Sequence, residues 1–118
     1  MDTAAFNAFC ATLPHSTHVV QWGGADVWKV GGKVFAIAGW NDGAGLSVSF
    51  KVTPIGFEIL SDAEGCRPAP YLASRGMTWI QATDIADADL MDHVRASYDI
   101  IARALPKKTQ RELGLLKG

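Results

Sequence analysis

No stretch of about 18 consecutive apolar residues occurs in this chain, so the sequence offers no membrane-spanning helix. Cysteine is scarce. Cys10 and Cys66 stand alone without a CxxC pair, and structural zinc needs four nitrogen or sulfur ligands in clustered pairs. Two isolated cysteines suit a reducing cytosol as small buried hydrophobes, and a disulfide between them is the minority reading. An excess of either charge is also missing. The 11 Lys and Arg against 12 Asp and Glu leave a net charge of −1, whereas a dedicated high-affinity DNA binder ordinarily carries a basic surplus. The segment from Met1 to Cys10 holds Asp2 but no Lys or Arg, which argues against a secretory signal and for a cytoplasmic protein. No repeat, low-complexity tract or linker interrupts the 118 residues, so one domain spanning 1–118 is expected.

What the chain does have is enough apolar material for a core. Hydrophobic residues make up 48% and charged residues 19%, and a chain of this size buries roughly two-thirds of its unfolded surface. The charges are unevenly placed. Asp84, Asp87, Asp89 and Asp92 form an acidic run without a base, whereas Arg103, Lys107, Lys108, Arg111 and Lys117 face only Glu112.

Phe6, Phe9, Cys10 and Leu13 recur at helical spacing, with Asp2 or Thr3 to cap the start and Pro14 to stop it. Short β-rich runs follow around Val19–Trp22, Val27–Val30 and Lys33–Ala38. Gly31-Gly32 between the last two is the clearest hairpin signal. Leu46, Val48, Phe50 and Val52 alternate with Ser47, Ser49 and Lys51, as a half-buried antiparallel strand does. Thr53-Pro54 reads as an N-cap and first helical residue, opening a helix that buries Ile55 and Ile59, with Phe57 or Leu60. Cys66-Arg67-Pro68-Ala69-Pro70-Tyr71-Leu72 is a stiff extended connection, because its prolines exclude a helix interior or a central strand. It feeds a strand centred on Trp79. A long helix then opens at Asp87 or Asp89 and ends near Leu105, and a short one runs from Lys107 to Leu113. The expected fold is a two-layer α+β domain of order α-β(4)-α-β-α, an antiparallel sheet of about five strands with the helices on one face.

Three motifs carry a resemblance. They are the hairpin Val27-Trp28-Lys29-Val30-Gly31-Gly32-Lys33-Val34-Phe35-Ala36, the run Arg67-Pro68-Ala69-Pro70-Tyr71-Leu72 leading to Trp79-Ile80, and Ser97-Tyr98-Asp99 through Leu105-Pro106-Lys107-Lys108 to Arg111-Glu112-Leu113. In that order the chain resembles the MmcQ/YjbR family, small bacterial proteins with a CyaY-like, secretion-chaperone-like fold. The resemblance implies DNA binding through two β-hairpin wings.

Phosphate contacts need several Lys or Arg on one surface. The candidates are Lys29 and Lys33 beside the hairpin turn, Arg67 and Arg75 around the proline loop, and Lys107, Lys108 and Arg111. Trp28, Trp40 and Trp79 would stack on bases if exposed, and Trp79, on the strand fed by the proline loop, is counted with the interface. The bland readings stand beside these: core tryptophans, solvated lysines, an Arg67 that fixes its own loop, and Tyr71 and Tyr98 with buried structural hydroxyls.

Catalytic signals are few. His15, His18 and His93 form no ligand cluster, the Asp87–Asp92 run fits a solvated helix start, and Cys66 beside Arg67 has no adjacent His. The glycine pairs at 23–24 and 31–32, and the Gly43-Ala44-Gly45 turn, match no phosphate-binding fingerprint. No catalytic residue, metal or cofactor is assigned. The expectation is a non-enzymatic domain that binds DNA through its hairpins and basic C-terminal segment, with the oligomeric state left open and a monomer slightly favoured. The alternative is a protein- or small-ligand-binding module using the exposed sheet face or a pocket under the proline loop, with an enzyme of unknown chemistry third. An apolar concavity lined by Trp22, Trp40 or Trp79 favours a ligand, and a continuous basic face favours DNA.

Overall fold

Asp2 accepts the Ala5 N–H at 2.8 Å and so caps α1 (Thr3–Ala11) in the computed structural model, which describes residues 1–40 and 45–115. Four strands follow: β1 (Ser16–Gln21), β2 (Ala25–Val30), β3 (Lys33–Ala38) and β4 (Ser47–Lys51). Thr53 caps α2 (Pro54–Leu60) by accepting the Gly56 N–H at 3.0 Å. The chain continues through β5 (Cys66–Pro68), a single 3-10 turn (Ala73–Arg75), β6 (Trp79–Thr83), α3 (Asp87–Ala104) and α4 (Lys107–Glu112). The strands form one antiparallel sheet in the order β1-β2-β3-β4-β6-β5. The expected α+β architecture is present with six strands rather than about five. The extra one, Cys66–Pro68, is three residues long and lies on the sheet edge, where a proline costs no ladder bond.

One sheet face carries the main core. Phe6 and Cys10 of α1 and Leu90, Val94, Tyr98 and Ala102 of α3 pack on Trp28, Phe35, Val48, Phe50 and Ile80. Burying each of the large ones contributes about 1.5–3 kcal/mol. Two hydroxyls fix α3 there. Ser97 accepts the Lys51 N–H at 2.9 Å and donates to the Phe35 carbonyl at 2.7 Å, bridging β3 and β4 just beyond their last paired residues. Tyr98 donates to the Pro14 carbonyl at 2.6 Å.

The opposite face is covered over its centre and left exposed along β1. Val27, Ile37 and Trp79 point there and would leave a wet apolar patch. Ala69 and Leu72 of the proline segment fold over them as a second small core. This is also why Ser47 and Ser49, expected to face outward, are buried. The reading of α2 is corrected too. Ile55 and Ile59 are 70% and 66% exposed, and Phe57 and Leu60 pack toward the core instead. In a seven-residue helix either pair can turn inward, and the aromatic one buries more area. Gly43 and Ala44 of the expected glycine turn, and Lys117 of the basic run, lie outside the described residues.

Candidate nucleic-acid interface

Gly31 and Gly32 take φ angles of +57° and +80°, the backbone that a tight two-residue hairpin turn demands. The turn between β2 and β3 does not project freely. A Cβ placed on Gly31 would stand 2.6 Å from Leu105 Cδ1, so this turn sits directly on the residue that joins α3 to α4. Lys33 directly follows the turn, and Lys107 and Lys108 follow Leu105 by two and three residues. The fold thus gathers Lys33, Lys107 and Lys108, all exposed, at one pole of the molecule. Lys29 precedes the turn and is half-buried, and Arg111 is exposed on α4. The acids along that stretch are Asp99 and Glu112. Asp84 precedes α3, and Asp87, Asp89 and Asp92 lie in the first two turns of this helix, which at 18 residues is roughly 27 Å long. The side chain of Gln110 closes the α3–α4 junction by donating to the carbonyls of Arg103 and Leu105 at 3.1 and 2.8 Å.

Arg67 and Arg75 do not join this pole. Arg67 sits on edge strand β5, and its Nε donates to Gln81 Oε1 at 2.7 Å. Gln81 is 1% exposed, and its Nε2 donates to the carbonyls of Gly39 and Trp40 at 3.1 and 2.9 Å. Arg67 therefore fixes its own loop, as the simpler reading had it. Arg75 ends the 3-10 turn and is exposed. Trp79 is corrected as a stacking residue: at 3% exposure it is a core side chain of the proline-loop face. Trp28 is likewise buried, its indole N–H donating to Asn7 Oδ1 at 2.9 Å.

Two exposed aromatics, Trp22 and Tyr71, lie elsewhere, each in ring contact with the half-buried Trp40. Trp22, Trp40 and Tyr71, with Leu72 and Arg75, line a cleft of about 460 Å³. The Trp22 and Trp40 rings are 5.7 Å apart, and Trp40 meets Tyr71 edge-on at 5.3 Å. All three take left-handed backbone angles, φ +53°, +62° and +70°. For a bulky residue that conformation costs about 1–2 kcal/mol. Tyr71 was read as a buried structural hydroxyl, and it is instead 68% exposed. Trp22 and Trp40 are expected from the sequence as walls of an apolar concavity, whereas Trp79 is not one and Tyr71 is. The local signal for Tyr71 is the turn-former beside it, as in Trp22-Gly23-Gly24, Gly39-Trp40 and Pro70-Tyr71.

Neither cysteine is set up as a nucleophile. Burial pushes the Cys10 thiol up to about 12, and burial also raises the Cys66 thiol despite its neighbour Arg67. Burial, then the charge of Asp99, raises the Tyr98 hydroxyl. His18 Nε2 lies 2.7 Å from Asp26 Oδ1, and His93 stacks on Phe50 at 5.0 Å. Among the described residues no three His, Cys, Asp or Glu side chains converge to hold a metal ion, and no helix is long and apolar enough to cross a membrane.

Comparison with curated proteins finds no match. The family model YjbR matches residues 11–100, which take in the β2–β3 hairpin, the proline loop and Trp79-Ile80. The third motif begins inside that span and runs past it. With about three-quarters of its length matched, the chain belongs to the YjbR family.

Proposed function

We propose that this protein is a cytosolic, non-enzymatic DNA-binding domain whose contact surface is the basic pole. The observation that carries the reading is the seating of the Gly31-Gly32 turn on Leu105, which joins the lysines of the hairpin to those of α4. Apart in the sequence, Lys33, Lys107 and Lys108 are a scattered minority in a chain of net charge −1. Gathered, they offer phosphates a local field that the total charge conceals. Lys29 and Arg111 stand at its margins, and the β2–β3 hairpin is the wing that borders α4. Recognition is by backbone charge, so it is salt-dependent and indifferent to sequence.

The test is a fluorescence titration of the whole chain with duplex and single-stranded DNA at two salt concentrations. Binding at low salt with a dissociation constant below about 100 μM, lost as salt rises, is expected. Failure to bind either form in that range at low salt overturns the proposal.

A further inference from the structure

The cleft formed by Trp22, Trp40, Tyr71, Leu72 and Arg75 is separate from the basic pole. Trp22 sits at the turn from β1 to β2 and Trp40 just past the end of β3. In an antiparallel sheet both positions lie at the end opposite Gly31-Gly32, one six-residue strand or about 20 Å away.

Three features set this cleft apart from the surrounding surface. Trp22 is 50% and Tyr71 68% exposed, so little burial compensates for holding large aromatics in a left-handed backbone. Strain of that kind gathers where a binding surface must present a side chain at a fixed angle. The backbone that carries the rings is held in place. Trp40 is held through its carbonyl by Gln81, and Ser74 Oγ donates to the Tyr71 carbonyl at 3.2 Å. Leu72 accepts at its carbonyl from the Arg75 and Met77 N–H groups. Finally, among the described residues no acid lines the cleft and no carboxylate pairs with Arg75. An aromatic cage for a cation would not place a guanidinium on its wall.

We infer that this cleft is a nucleotide-unit site: it stacks an unpaired nucleobase on Trp22 and Tyr71 while Arg75 takes the attached phosphate. Flat π-faces receive any base, and the guanidinium fork matches phosphate oxygens. The volume of about 460 Å³ admits a base with its sugar and phosphate. A free mononucleotide and the unpaired end of a nucleic acid share this chemistry.

Adenosine monophosphate, adenosine, inorganic phosphate and a single-stranded deoxyadenylate hexamer are each titrated into the isotope-labelled full chain, following the four tryptophan indole N–H resonances. Adenosine monophosphate is expected to shift Trp22 and Trp40 while leaving the buried Trp28 and Trp79 in place. It should bind more tightly than adenosine or phosphate alone. Trp22→Ala and Tyr71→Ala should each weaken binding about tenfold or more, and Arg75→Ala should abolish the preference over adenosine. A hexamer that binds much more tightly than the mononucleotide identifies a nucleic-acid end as the source, and equal affinities identify the free nucleotide. Lys107→Ala with Lys108→Ala should leave mononucleotide affinity unchanged, which separates this site from the basic pole. The inference is overturned if neither adenosine monophosphate at about 10 mM nor the hexamer at about 1 mM moves Trp22 or Trp40. It is equally overturned if the three cleft variants, shown folded by their unchanged Trp28 and Trp79 resonances, bind like the parent.

Discussion

The side-chain amide of Gln81 donates to the carbonyl of Trp40 at 2.9 Å, although 41 residues separate them. Gln81 also receives Arg67 Nε, so one buried amide joins the edge strand β5 to the end of β3. Gln81→Ala should cost about 1–3 kcal/mol, because it removes the partner of Arg67 Nε and of the Gly39 and Trp40 carbonyls at once. Urea unfolding would measure the loss, and the Trp40 indole resonance should broaden or move. Arg67→Ala leaves the buried Gln81 Oε1 without this donor and should cost about 1–3 kcal/mol as well.

The Ser97 hydroxyl completes the ladder between β3 and β4 where the strands part. Ser97→Ala leaves the Lys51 N–H and the Phe35 carbonyl without it. A loss of about 1–3 kcal/mol is expected in chemical denaturation. A loss below about 0.5 kcal/mol would show that the bridge is dispensable.

Gly31 and Gly32 separate two physical effects. Gly32→Ala meets open space and should cost only its positive φ, about 1 kcal/mol. Gly31→Ala adds an overlap with the Leu105 side chain and should cost about 1–3 kcal/mol more. Combining Gly31→Ala with Leu105→Ala should relieve part of that excess, and a double-mutant cycle would read the coupling.

Lys107→Ala with Lys108→Ala should flatten the dependence of DNA affinity on salt by about one to two logarithmic units. Both side chains are exposed, so the unfolding midpoint should stay where it is. An unchanged slope would remove α4 from the proposed surface.

Cys10 gives a stability prediction at high pH. Its thiol is held protonated in the fold to about 12, above its ordinary 9.0. The raised value means that the stabilisation is complete below pH 9.0 and is lost as pH climbs toward about 12. Within that window the unfolding free energy should fall by up to about 1.4 kcal/mol per pH unit. Cys10→Ala should remove that part of the slope, and unfolding curves collected across the window would show it. A thiol reagent should label Cys66, which is partly exposed, before Cys10.

Much of the fold is legible in the sequence because its signals are local. The Asp2 cap, the Thr53-Pro54 helix start, the paired glycines at 31–32 and the alternation from Leu46 to Val52 each act within a few residues. Their outcomes match the elements observed. The family assignment rests on the same kind of local pattern. The side on which α2 packs, the depth of Trp79 and the covering of the second sheet face depend on which distant segment folds over them. No spacing rule reports that.

The basic residues and the aromatics illustrate the same division. Composition determined that the chain has no basic surplus, and order along the chain determined that its bases cluster toward one terminus. Only the packing of Gly31 against Leu105 brought a hairpin lysine to that cluster, because contact between residues 74 positions apart is a property of the closed core. Only the tertiary structure gathered Trp22, Trp40 and Tyr71 around Arg75, since each arrives on a different loop in a left-handed backbone conformation that its residue type does not favour.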